Sequence, residues 1–154
     1  MSDINQTIPG EIGVFTNMIA SGPVIIQMRD GVEKTLLVKH GDKSIEELKW
    51  KFCGGRILKG MDLEVNAIRE AKEEIGVEVK LIKPLKPLII WNKIPEVGSR
   101  QPEAIVLIHY LATINQEPIK SEKALAMDWF DINDLPDDCA PNVMPIIQNY
   151  LDLK

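Results

Sequence analysis

Hydrophobic and polar positions along this 154-residue chain follow two different periods, and each change of period marks an element. Ile12 to Ala20 reads as a strand carrying Val14, Phe15, Met18 and Ile19. Val24 to Met28 and Thr35 to Val38 flank Asp30–Gly31 and read as a hairpin or a pair of linked strands. Asp42 to Lys49 is a polar connection, and Trp50 to Cys53 leads into a loop from Gly54 to Gly60. The period then lengthens. Leu63 to Ile75 has no Pro or Gly, and its Ala, Glu, Lys, Ile and Leu predict a helix. Asp62 offers its N-cap and Gly76 its C-terminal stop. Further strands are predicted at Val77 to Ile82, Leu85 to Trp91 (interrupted near Pro87), Ala104 to Ala112 and Asp128 to Phe130. Asn92 to Pro102, with Pro95, Gly98 and Pro102, reads as a loop. Ile132 to Leu135 reads as a helical turn and Val143 to Leu151 as a closing helix. Helices and strands interspersed in this way imply an α/β (α+β) protein with a mixed sheet between helical layers. No repeat or linker divides the chain, so 1–154 reads as one domain with an N-terminal extension or strand at 1–23.

At about 100° per residue, Ile68, Ala71 and Ile75 share one face of the predicted helix, while Glu70, Glu73 and Glu74 fall nearly opposite. The helix is expected to dock through the apolar stripe and present its carboxylates outward or into a cleft. Three such carboxylates repel one another, which raises their affinity for protons and for cations. Hard oxygen donors suit Mg²⁺ or Mn²⁺. Arg69 is placed to pair with a neighbouring Glu. On these residues alone, an ordinary solvated helix face explains the cluster as well.

The spacing of the whole stretch Gly55 to Val77, GRILKGMDLEVNAIREAKEEIGV, resembles the Nudix box, G-x5-E-x7-R-E-U-x-E-E-x-G-U with U apolar. Gly55, Arg69, Glu70, Ala71, Glu73, Glu74, Gly76 and Val77 occupy its fixed positions. Met61 stands where the family has its first Glu and offers no hard oxygen. The resemblance extends roughly from Val24 onward, through an apolar strand before Gly54–Gly55 and a WFDINDLP segment near the C-terminus. It implies a Nudix α/β/α sandwich in which the box forms loop–helix–loop and the adjoining sheet face holds substrate. It also implies Mg²⁺-dependent hydrolysis of a diphosphate bond in a nucleoside diphosphate linked to another group. A modified nucleoside triphosphate, or a nucleotide sugar such as ADP-ribose, is the kind of substrate implied. Met61 motivates an alternative, a Nudix-fold nucleotide-binding or regulatory module with little turnover. Nothing in the chain points to the extra Cys/Glu site that isoprenoid diphosphate isomerisation needs.

By the same resemblance, Glu70, Glu73 and Glu74 are metal ligands, and one of them takes a proton from the attacking water. Arg69 orients Glu70. The Gly55 carbonyl adds a ligand, and Gly54–Gly55 permits close approach of substrate. Glu122, in the loop Asn115 to Lys123, is a candidate base or extra ligand, balanced against a surface Glu beside Lys120 and Lys123. Glu103 is a weaker candidate. Trp91 could stack on a base, as could Trp50 and Trp129, although packing is the commoner use of each. Arg100 and Gln101 could contact phosphate or base from a solvated loop. His40 and His109 lack a partner pattern, and His109 reads as a satisfied, half-buried strand residue. Asn142 reads as the cap of the closing helix before it reads as a base contact.

Composition narrows the partners. Net charge is −5 and the sequence pI about 5.1, with no Lys/Arg run, so nucleic acid is not the expected partner. Cys53 and Cys139 lack metal-site spacing and fit a reducing cytoplasm. The segment MSDINQTIPG has no signal-peptide pattern, and the longest apolar run, Ala104 to Ile114, is too short to span a membrane. A homodimer is an expectation by analogy with the family.

Overall fold

One long strand organises the molecule. The computed structural model describes residues 17–91 and 103–154. Within them β1 runs from Asn17 to Arg29 without a break. The sequence suggested two strands parted at Ser21–Gly22–Pro23. Instead this tripeptide continues the ladder, because β6 (Ala104–Thr113) pairs with β1 in parallel from Asn17↔Ala104 to Ile25↔Ala112. Residues 17–23 are thus part of a central strand. Gly22 has a steric reason: a Cβ there would stand 1.9 Å from the Cys53 carbonyl oxygen.

Asp30 and Gly31 both have positive φ, the geometry of a tight hairpin, and join β1 to β2 (Val32–Lys39). The two-residue strand β3 (Gly55–Arg56) pairs with β1 at Ala20 and Ser21. β4 (Lys80–Pro84) and β5 (Leu88–Trp91) lie end to end along β6, both antiparallel to it. β7 (Ala126–Asp131) closes the other edge against β2. The order β4–β6–β1–β2–β7, with β3 and β5 off that path, is a mixed sheet, as the alternating pattern implied.

Helix α1 (Leu63–Ile75) covers one face and α2 (Val143–Leu151) the other. Adjacent residues divide between the layers. Ile25, Leu36 and Val38 pack with Ala71 and Ile75, while Val24 and Leu37 pack with Val143, Ile146 and Ile147. The central strands are buried on both faces, which explains their continuous apolar runs. Among the described residues, no helix is long and apolar enough to cross a membrane.

The ends of α1 match the sequence expectation, with Asp62 accepting from the Val65 N–H and Gly76 in the left-handed conformation. Its faces do not. The buried residues are Asn66, Ala67, Ala71, Glu74 and Ile75, whereas Ile68 is 36% exposed. The docked face is rotated toward Glu74 because two polar side chains, Asn66 and Glu74, find partners inside. Ile75→Ala should therefore cost about 2–5 kcal/mol of stability, while Ile68→Asp should cost less than about 1 kcal/mol. Urea unfolding midpoints of the two variants test this assignment.

Candidate active site

Where β1, the Gly54–Gly55 loop and α1 meet, a continuous set of polar contacts forms. The Ser21 hydroxyl donates to the Leu63 carbonyl at 2.7 Å and accepts from Asn66 Nδ2 at 2.9 Å. Asn66 Nδ2 also donates to the Gly55 carbonyl at 3.0 Å. Arg69 Nη2 donates to Asn66 Oδ1 and to Glu70 Oε1, each at 2.7 Å, and Nη1 donates to Glu73 Oε2 at 2.8 Å. One guanidinium thus fixes two box carboxylates, which its planar fork of donors suits.

Glu70 and Glu74 close on the loop from above. A Cβ on Gly55 would sit 2.6 Å from Glu70 Oε1, so any larger residue there would displace the Glu70 carboxylate from its place over the loop. Glu74 is 2% exposed, and its Oε2 accepts from the Gly54 N–H at 3.0 Å. His40 Nε2 lies 3.1 Å from the other oxygen, Oε1. Burial, reinforced by the Glu70 charge, pushes Glu74 up to about 7. Burial, reinforced by Lys51, pushes His40 down to about 4, so near neutral pH it faces Glu74 as a neutral ring. The Cys53 thiol stands beside the same carboxyl and is raised well above its usual value by burial and then by Glu74.

Glu73 faces outward. Its Oε2 accepts from Lys123 Nζ at 3.0 Å, and that hydrogen bond, with Arg69, holds Glu73 below the usual carboxylate range. The loop after β6 therefore reaches the box through Lys123. Its backbone also donates from Ile119 to the Ile75 carbonyl and from Ser121 to that of Glu74. Glu122, the sequence candidate, sits exposed on the turn beside Lys123.

Against this cluster opens a cleft of about 320 Å³. Ile90, Ile105 and Leu107 give it an apolar floor, and His40, Lys51 and Asn142 give it polar walls. Gly54 and Gly55 line it. Trp91 ends β5, is 69% exposed, and lies next to Ile90. Trp50 packs edge-on against Phe130, and Trp129 lies under the Arg29 guanidinium, so both serve packing. Arg100 and Gln101 lie outside the described residues. Glu103 stands one residue before β6.

Two expectations change. His109 is buried, edge-on to Phe52, and its Nδ1 has no partner among the described residues. Asn142 precedes α2 but makes no side-chain cap bond, because its backbone is already helical. Its amide lines the cleft instead. Ser21, Asn66, Lys51 and Lys123 are not among the residues that sequence pattern singles out for the site. Only Asn66 carried a local signal, as a poor helix former in mid-helix.

Comparison with known proteins agrees with this architecture. A Caenorhabditis elegans Ap4A hydrolase in a binary complex superposes with a TM-score of 0.70 at 18% identity, covering 88% of this chain and 96% of that one. A MutT NUDIX hydrolase from Burkholderia pseudomallei gives 0.68 at 24% identity, covering 87% and 98%. A UDP-X diphosphatase gives 0.66 at 17% identity, covering 92% and 66%. No curated protein sequence matches the chain. The family model described as the NUDIX domain matches residues 18–150, nearly the whole chain, and the chain belongs to that family.

Proposed function

We propose that this protein hydrolyses a diphosphate bond in a nucleoside diphosphate linked to a second group, with Mg²⁺ (or Mn²⁺) as cofactor. The observation that carries this reading is the pairing of Glu70 and Glu74 against consecutive residues of one glycine loop, at the mouth of a cleft of nucleotide size. The fold neighbours named above as acting on Ap4A and UDP-X support the substrate class.

The residues fit a hard divalent ion. Glu74 is raised by burial and by Glu70, so a cation between them relieves both penalties. Glu70, Glu74 and the Gly55 carbonyl would hold it, all oxygen donors. Among the described residues no three acidic, His or Cys side chains converge on one point, since Glu73 is turned to Lys123. Glu73, whose Oε2 is held by both Arg69 and Lys123, would join the set on leaving Lys123. When bound, the ion supplies charge neutralisation on the phosphate oxygens and acidifies water.

The rest is the work of the chain. Arg69 holds Glu70 in one rotamer, and Asn66 holds the Gly55 carbonyl, so little rearrangement remains when substrate arrives. Water attacks one phosphorus, the bridging oxygen leaves, and one of the three carboxylates takes the proton. The apolar floor receives the base beside Asn142, whereas Trp91, next to Ile90 in β5, leaves the opposite face of the sheet and is not part of that floor. Met61, just before the N-cap Asp62, supplies no oxygen to this set.

Glu74→Gln should lower Mg²⁺-dependent turnover at least about a hundredfold while leaving the protein folded, because the amide keeps the shape of the buried side chain. Hydrolysis measured over nucleoside triphosphates, ADP-ribose and dinucleoside polyphosphates checks this; near-normal turnover in the variant refutes the site. The same group sets a pH dependence. Glu74 titrates near 7 when folded and near 4.5 when unfolded, so the stability it contributes is complete below about 4.5 and is lost as pH rises through about 7. His40, depressed on folding, acts oppositely between about 4 and 6.5. In EDTA, the melting temperature of the protein relative to Glu74→Gln should fall between about pH 4.5 and 7 and level off above that. Saturating Mg²⁺ should remove that fall.

A further inference from the structure

The wall of the cleft carries a cation without a counter-ion. The chain has a net charge of −5, yet none of the described residues lining the cleft is acidic, and Lys51 and Arg56 both line it. Lys51 sits in the segment between β2 and β3 and pairs with Val38 through a backbone bridge. Val38 faces the α1 side of the sheet, and partners in a bridge share a face. Lys51 therefore extends toward the His40–Glu74 end of the cleft, and both groups sense its charge.

Lys39, its neighbour in space, shows what a satisfied lysine looks like in this fold. Its ammonium meets Asp138 at 2.9 Å and the Ile45 carbonyl at 3.5 Å, and lies 5.0 Å from the centre of the Trp50 ring. Lys51 bonds to Val38 through its backbone, but its ammonium makes no hydrogen bond or ion pair among the described residues. Glu74 does not fill the role, because its oxygens already take the Gly54 N–H and His40. Burial lowers the pKa of Lys51, and the Glu74 charge opposes that only in part, as expected for an ammonium partly stripped of water and given no hydrogen bond in exchange. Such a group stabilises the fold poorly and is best matched by an incoming anion.

We propose that the Lys51 ammonium is an anion-binding group of this cleft that takes a phosphate of the substrate. The proposal rests on the nucleotide-hydrolase reading above and adds to it a contact independent of the metal. As a compact point charge with three donors, a lysine suits phosphate oxygens whose exact direction varies along a reaction. Glu70 and Glu74 with their cation serve one side of the diphosphate, and Lys51 the side turned into the cleft.

The test measures binding without turnover. ADP and inorganic pyrophosphate are titrated calorimetrically into the full chain in EDTA. Lys51→Met should weaken both about tenfold or more, and Lys51→Arg should restore most of the affinity. Glu74→Gln should leave binding equal or tighter, and Lys51→Met should still weaken it in that background. Unchanged affinity in Lys51→Met overturns the proposal, as does failure of the unaltered protein to bind either probe. So does loss of the Lys51→Met effect in the Glu74→Gln background, which would make Lys51 only a counter-charge to Glu74. Mg²⁺-dependent hydrolysis is scored separately, so the proposed function can stand or fall without this contact.

Discussion

The burial of the Glu74 carboxyl fixes how the two halves of the site meet. Removing such a group from water is unfavourable by several kcal/mol unless it is matched. Here the Gly54 amide and His40 match it, one from the loop before β3 and one from the end of β2. Helix α1 can satisfy both only in one rotational setting. That setting puts Glu70 over Gly55, turns Glu73 toward Lys123 and leaves Ile68 near solvent. The apolar contacts of Ala71 and Ile75 supply the driving force for docking, while the carboxyl selects the angle.

A second constraint comes from the sheet. Gly22 allows β1 to press against the Cys53 carbonyl, and Ser21 next to it anchors both Leu63 and Asn66. The glycine loop is therefore held from below by a central strand and from above by the helix. Rigidity of this kind places charged groups before a ligand arrives, and it comes from elements whose positions the core already determines.

The sequence made some of this legible. The limits of α1, its caps, the Asp30–Gly31 hairpin and the mixed sheet all depend on local pattern, and they agree with the structure. The rigid spacing of the box also accounts for Glu70 and Glu74 lying against Gly55 and Gly54, while Glu73 turns outward to Lys123. The faces of α1 were not legible, because a count of apolar residues assigns polar ones to solvent. Asn66 and Glu74 are buried by partners at Ser21, Gly55, Gly54 and His40, which no window along the helix contains. Gly22 and Pro23 read as punctuation and prove to be the middle of a strand, since the ladder to β6 overrides their local preference. Lys123 rather than its neighbour Glu122 meets the box, a distinction that one turn of loop decides.

The parallel pairing of β1 with β6 has a kinetic consequence. Its partners, from Asn17↔Ala104 to Ile25↔Ala112, lie more than half the chain apart in sequence. The hairpin of β1 and β2 and the helix α1 can form early from neighbouring residues, whereas this ladder must wait for a large loop to close. Until it does, Ile105 and Leu107 are not beside Gly54–Gly55, and the cleft does not exist. A nascent chain that has not yet delivered β6 carries every box carboxylate and still lacks the cleft that they border.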